Sequence, residues 1–327
     1  MRPPGYRDLW RQGLRYARSG VIERLALGYS RLLGVLDLRA GSAQRAAARE
    51  GYLVRHNQAA RESMASYRRL ARLAPEPDSP LPSECFALFV GYSRSGHSLV
   101  AALLDAHPEI VLSHELHAVK HLLAGHDFRD VARAIHYNAR AFHHFGRGYS
   151  GYDYRVPGQH QGRCTRLRVL GDKKANGTCR ALLRHPDLVS RLERQVPVPI
   201  RFVHVIRNPW DNIASKALRA GLSLEGAAGG YLRNARAIAA LHQAHPGRIC
   251  AVHLDELAAR PQQTLTGLLA ALGLPDPPAD YLQACADIVF EQPRRTGQGL
   301  DWPAQLRRTI QSGLAQLPHL QRYSGAG

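Results

Sequence analysis

The stretch Phe89-Val-Gly-Tyr-Ser-Arg-Ser-Gly-His-Ser-Leu99 has the residue types of an anion site. An apolar run passes into a short Ser/Gly turn and then directly into a helical segment. Such a turn aims backbone N–H groups and the positive end of a helix dipole at one point. Gly96 lets the backbone approach closely, Ser95 and Ser98 add hydroxyl donors, and Arg94 adds a permanent charge. The phosphate loop of nucleoside triphosphate enzymes, G-x-x-x-x-G-K-[ST], needs a lysine after its last glycine. Here His97 and Ser98 follow Gly96. That departure weighs against the alternative reading of a kinase or phosphotransferase using ATP with Mg²⁺.

A second motif follows at Phe202-Val-His-Val-Ile-Arg-Asn-Pro-Trp-Asp-Asn-Ile-Ala-Ser215. An apolar strand ends at Arg207, Pro209 suits the first turn of a helix, and Ser215 lies eight residues beyond the arginine. Ligands of open α/β sheets sit at the carboxyl ends of the strands, so Arg207 should face the same crevice as Arg94.

Together these two motifs resemble the sulfotransferases that use 3′-phosphoadenosine 5′-phosphosulfate (PAPS). The family's 5′-phosphosulfate loop reads P-[KR]-S-G-T-T after its first strand. Arg94, Ser95 and Gly96 match it; Ser93 replaces the usual proline, and His97 and Ser98 replace the two threonines. The family's 3′-phosphate motif is an arginine at a strand end with a serine eight residues on, as at Arg207 and Ser215. Val252-His-Leu-Asp-Glu-Leu257, and Pro293-Arg-Arg-Thr-Gly-Gln-Gly-Leu-Asp-Trp302, resemble the family's later segments, the second a basic loop closing over the nucleotide. The resemblance spans about residues 84–323. It implies PAPS as donor and no metal. Donor contacts would come from Arg94, Ser95, Gly96, His97, Ser98, Arg207 and Ser215, with Arg294 or Arg295 on the 3′-phosphate.

Sulfuryl transfer needs an aligned acceptor oxygen, stabilised charge on the leaving group, and a base for the acceptor proton. Arg94 stands at the family's loop cation. Lys173, in Gly171-Asp-Lys-Lys-Ala-Asn176, resembles a lysine that several branches place beside the transferred group, with Lys174 the competing choice. Leu104-Asp-Ala-His-Pro-Glu109 is similar to a stretch of the tyrosylprotein sulfotransferases, whose base is a glutamate 21 residues after the loop arginine; counted from Arg94 that is Glu115. Another branch uses a histidine in this region, which makes His114 the rival. Adjacent residues on a strand point to opposite faces, so only one of the two should face the acceptor. His107 and His117 read as structural.

These residues require an alternating scaffold. Apolar runs at Cys85–Val90, Ile110–Leu112, Leu167–Leu170, Ile200–Ile206 and Ile249–Leu254 read as strands, the first suiting a buried parallel one. Segments Ser98–Ala106, Pro209–Ala220, Leu222–Ala244 and Pro261–Leu272 read as helices. The expected fold is α/β, a central parallel sheet flanked by helices in the P-loop-like sulfotransferase manner, over residues 84–327. Phe142–Arg163, rich in Gly, Tyr, His and Arg, reads as a long loop beside the acceptor. Residues 1–80 read as a basic helical extension, with 15 arginines against seven acidic residues. A basic amphipathic helix there is suited to peripheral contact with an anionic membrane.

The whole chain of 327 residues has a formal charge of +18, which attracts anions. Only four of its 44 basic residues are lysines, so part of the arginine excess reflects composition rather than function. No nucleic-acid-binding motif is visible, which excludes that partner class as a first reading; the expected partner is a small-molecule, saccharide or peptide acceptor. Five scattered cysteines without C-x-x-C spacing fit reduced thiols in a cytoplasmic protein.

Overall fold

The structure, a computed structural model, describes residues 81–143 and 154–325. The reading of residues 1–80, and residues 144–153 of the tyrosine-rich loop, lie outside the described residues. Five strands form one parallel sheet: β1 (Cys85–Val90), β2 (Ile110–His114), β3 (Val169–Lys173), β4 (Ile200–Ile206) and β5 (Ile249–His253). Their order is β2-β3-β1-β4-β5, which places the strand carrying the anion turn at the centre.

Helices cover both faces, as expected when parallel strands are joined by crossovers. Along β1, Phe86, Leu88 and Val90 point into one core, while Cys85, Ala87 and Phe89 point into the other. The first core is closed by α2 (Ala118–Leu123), α3 (Phe128–Ala141), α4 (Ala175–Arg184), α5 (Leu188–Glu193), α6 (Pro209–Ala220), α7 (Leu224–Ala244) and α11 (Ala304–Ala315). The second is closed by α1 (His97–Asp105), α8 (Leu254–Ala259), α9 (Pro261–Ala271) and α10 (Ala279–Asp287). Among the described residues no helix is long and apolar enough to cross a membrane.

One expected strand is displaced. Residues Leu167–Leu170 were the apolar signal, but β3 runs on through Gly171, Asp172 and Lys173. The turn-like run Gly-Asp-Lys conceals a strand because its polar side chains are buried with partners. Gly171 is required there: a Cβ would lie 2.3 Å from the carbonyl oxygen of Ala87 on β1. The described part of the expected loop is held down by Gln161. Its side chain accepts from Val156 N at 3.1 Å and donates to the carbonyls of Tyr154 (2.9 Å) and Ala102 on α1 (3.2 Å).

Candidate active site

The turn after β1 takes positive φ at Gly91 (139°), Arg94 (76°) and Gly96 (92°). A Cβ on Gly96 would meet Leu254 carbons at 2.8 and 2.9 Å, so both the conformation and the packing demand glycine. Arg94 has no such freedom, and its left-handed backbone costs on the order of 1 kcal/mol or more. Gly96 is also the N-cap of α1, and no side chain caps that helix. The positive end of that helix dipole is therefore suited to an anion. Ser95 is fully buried, its Oγ 3.1 Å from His97 Nδ1. With its amide turned so that both polar atoms find partners, Asn212 on α6 braces the turn, accepting from Ser95 N and donating to Ser93 O, both at 3.2 Å.

Cations from β4, α6 and a late loop gather beside this turn. Arg94 Nε donates to Ser215 Oγ at 3.2 Å. Arg207 donates from Nη1 to the Arg94 carbonyl at 3.3 Å, and from Nη2 to the Arg294 carbonyl and to Thr296 Oγ1 (3.0 Å). Arg207 is 8% exposed, yet among the described residues its buried Nε has no hydrogen-bond partner. Burial lowers the pKa of both arginines. Arg219 and Arg294 lower Arg94 further, while Asp211 partly offsets the pull of Arg94 and Arg294 on Arg207. These cations repel one another, a concentration of positive charge that suits an anion.

The late loop is fastened to α6. Asp211 Oδ1 accepts from Gly297 N at 2.7 Å, Trp302 Nε1 donates to the Gly297 carbonyl at 3.1 Å, and Trp210 meets Trp302 edge-on at 5.0 Å. Arg294 thereby stands near the cluster, whereas Arg295 is an exposed neighbour with none of these contacts.

A second group converges on Lys173, which is 1% exposed at the end of β3. Its ammonium lies 3.2 Å from Ser98 Oγ, 3.2 Å from His114 Nε2 and 3.1 Å from Glu115 Oε1. Lys174 Nζ donates to Glu115 Oε2 at 2.8 Å. Strand alternation predicts that His114 and Glu115 diverge, and the structure corrects this. β2 ends at His114, and Glu115 turns into the left-handed region at φ 60°, which swings its carboxylate back to the lysine. Asp172 fixes that bend by accepting from Ser113 Oγ and from Ala118 N, each at 2.8 Å. His114 is held through its own N–H to Asn138 Oδ1 (2.7 Å) and stacks on Phe142 at 3.7 Å.

Protonation states follow from these neighbours. The Glu115 side chain is 42% exposed; crowding by its neighbours opposes its ionisation, but Lys173 and Lys174 overcome this and hold the carboxyl well below its usual range. Burial, reinforced by Lys173, pushes His114 well below the usual imidazole value and His97 to about 3. The site at neutral pH thus holds a carboxylate, two neutral imidazoles and buried cations. Ser98 links the halves: it follows the anion turn and touches Lys173.

Asp172, Asp211, Asn212, Asn138 and Thr296 were passed over in the sequence. Asp211 and Asn212 lie inside the Arg207–Ser215 motif, where polar residues in a first helical turn read as ordinary helix starts. Their contacts to Ser95 and Gly297 join segments about a hundred residues apart, which no local pattern carries. His107 accepts from Glu109 N through Nδ1 at 3.1 Å. Among the described residues no group of three or more His, Cys, Asp or Glu is placed to hold a metal ion.

The profile of the sulfotransferase family matches residues 87–278. No curated protein matches the chain significantly. Similar solved structures include the sulfotransferase domain of the Synechococcus PCC 7002 olefin synthase, at 14% identity over 73% of this chain and 96% of that one, TM-score 0.42. The sulfotransferase of Alicyclobacillus acidocaldarius is similar at 15% identity over 76% and 97%, TM-score 0.40. Mouse sulfotransferase SULT7A1 complexed with PAP is similar at 10% identity over 75% and 89%, TM-score 0.41.

Proposed function

Because this chain belongs to the sulfotransferase family, whose match covers more than half of it, we propose that its donor is PAPS and that Lys173, Glu115 and the turn after β1 perform the transfer. The observation that carries this reading is the position of Lys173, between Ser98 of the anion turn and the Glu115 carboxylate. The residues suit the donor: among the described residues the buried Nε of Arg207 lacks a hydrogen-bond partner, and Arg94 and Arg294 add positive charge beside it. Bound PAPS would supply an activated sulfuryl group and a phosphate leaving group.

In this reading the 3′-phosphate is taken by Arg207, Ser215 and Arg294, with Arg295 the more remote candidate. The 5′-phosphosulfate is taken by the turn N–H groups, Arg94, Ser95, Gly96, His97 and Ser98. Lys173 places its charge where the leaving oxygen becomes negative, a contribution made chiefly in the transition state. Glu115 receives the acceptor's hydroxyl proton. His114 is already the acceptor of a lysine contact at Nε2, and we assign it to holding Lys173 rather than to proton abstraction. The acceptor is a hydroxyl or amine of a small molecule, saccharide or peptide, placed near Phe142 and Tyr154. Residues 84–327 form the catalytic unit and 1–80 a basic extension, the segment for any peripheral membrane contact, in a cytoplasmic protein.

The test is calorimetric titration with 3′-phosphoadenosine 5′-phosphate (PAP), beside ATP with Mg²⁺, on the wild type and on Arg207→Ala. Tight PAP binding that the substitution removes is the expected result. Preference for ATP–Mg²⁺ would hand the site to phosphoryl transfer, and binding of neither would sink the donor assignment.

A further inference from the structure

Glu115 has two carboxylate oxygens and two lysines, one on each: Lys173 at 3.1 Å from Oε1 and Lys174 at 2.8 Å from Oε2. The lysines are not equivalent. Lys173 is buried and shares its ammonium among Ser98, His114 and Glu115, so it lies between the anion turn and the carboxylate. Lys174 stands at the N-cap of α4 on a fixed backbone, its carbonyl accepting from Thr178 N at 2.9 Å and Thr178 Oγ1 at 3.3 Å. Its stem threads a slot that only glycine leaves open. A Cβ on Gly177 would lie 2.6 Å from Lys174 Cγ and 2.8 Å from His117 Nε2.

From this geometry we propose that Lys174 is a positioning residue: it retains Glu115 by Oε2 while Oε1 exchanges Lys173 for the acceptor hydroxyl. This rests on the donor reading above. An anion seated at Ser98 attracts the Lys173 ammonium, which loosens its contact with Oε1. Glu115 sits on a left-handed backbone at a strand end, outside the β2 ladder. Without a second partner its carboxylate would lose both orientation and charge. Among the described residues the ionisable groups facing it include His114 from β2, Lys173 from β3, Lys174 from α4 and His97 from α1. The two imidazoles are neutral, so once Lys173 turns to the donor, Lys174, 2.8 Å from Oε2, still favours the ionised form of Glu115.

Carbon-13 NMR of the full chain labelled at glutamate side-chain carboxyls reads this directly, with Glu115 assigned by its loss in Glu115→Gln. Titrations of wild type, Lys174→Met and Lys174→Arg, each with and without PAP, are compared. Lys174→Met should raise the proton affinity of Glu115 about tenfold or more, with a larger rise when PAP is bound. Lys174→Arg should restore most of the wild-type behaviour. Proton affinity in Lys174→Met within about twofold of wild type, with PAP bound, would overturn the proposal. PAP affinity is recorded on the same samples, so that loss of PAP binding in a substituted chain is told apart from an effect on Glu115 itself. Failure of the wild type to bind PAP would strike the donor reading instead, and the PAP-free titrations would still show whether Lys174 controls Glu115.

Discussion

Arg94 and Ser215 are joined by a single hydrogen bond, Nε to Oγ at 3.2 Å, across 121 residues of sequence. The bond ties the turn after β1 to the helix after β4. It makes the serine, eight residues past Arg207, a partner of the turn's own cation as well as a candidate phosphate ligand. Ser215→Ala should therefore act twice. Stability should fall by about 1 kcal/mol in chemical denaturation, and PAP affinity should fall roughly tenfold by calorimetry. Full affinity in the variant would remove Ser215 from the site.

Gly96→Ala combines a left-handed backbone at φ 92° with a methyl pressed onto Leu254. A destabilisation of about 1–3 kcal/mol is expected, together with loss of PAP binding. Leu254→Ala in the same chain should recover only the steric share. A double mutant as stable as Leu254→Ala alone would show that the backbone conformation carries no cost.

Glu115→Gln preserves shape and removes the proposed base. Once an acceptor is found, the transfer rate should fall by roughly 10²- to 10⁴-fold, with PAP affinity within about twofold of wild type. Because the lysines depress this carboxyl well below its usual range, the base is already ionised at mildly acidic pH. Activity that depends on it should persist below the ordinary carboxylate pKa and fail only at more acidic pH. An acid limb near neutrality would point to a different base.

Behind the anion turn lies a group that the transfer chemistry does not use. His204 is fully buried and, among the described residues, neither ring nitrogen is hydrogen-bonded; it lies next to Tyr92 of the turn and to His319 at 5.3 Å between ring centres. His242 stacks on His319 at 5.5 Å. Burial first, and then mutual repulsion for His204 and His319, lowers their pKa values; burial alone lowers His242, and His319 falls to about 4. The unfolded chain binds protons at these positions below about pH 6.5 and the folded chain does not. Their stabilising effect is complete above that pH and is lost as pH falls toward 4. His204→Phe should flatten the decline of Tm between pH 6.5 and 4.5, and an unchanged slope would place the acid sensitivity elsewhere.

The fold was legible where apolar runs and turn residues agree, as in Cys85–Val90 leading into Gly91–Gly96 and Ile200–Ile206 leading into Arg207. β3 was misplaced because Asp172 and Lys173 hide a strand behind charged letters, and their burial is affordable only through Ser113, Ala118, Ser98 and Glu115. The bend at Glu115 was invisible for a related reason. A left-handed non-glycine residue has no propensity signal, and here it is imposed by Asp172 from another strand. Asn212 and Asp211 show the same limit: their residue types were plain, but their partners are set by the tertiary fold.

The strand order places the Lys173–Glu115 group on one flank of β1 and the Arg207–Ser215 group on the other, each reaching the central turn by a separate route. Capture and chemistry are thus separable by engineering. Substitutions confined to the β2–β3 flank should yield a transfer-dead protein that still retains the nucleotide. Such a protein could hold donor and acceptor side by side unreacted, and so serve as bait for the acceptor in a cell extract.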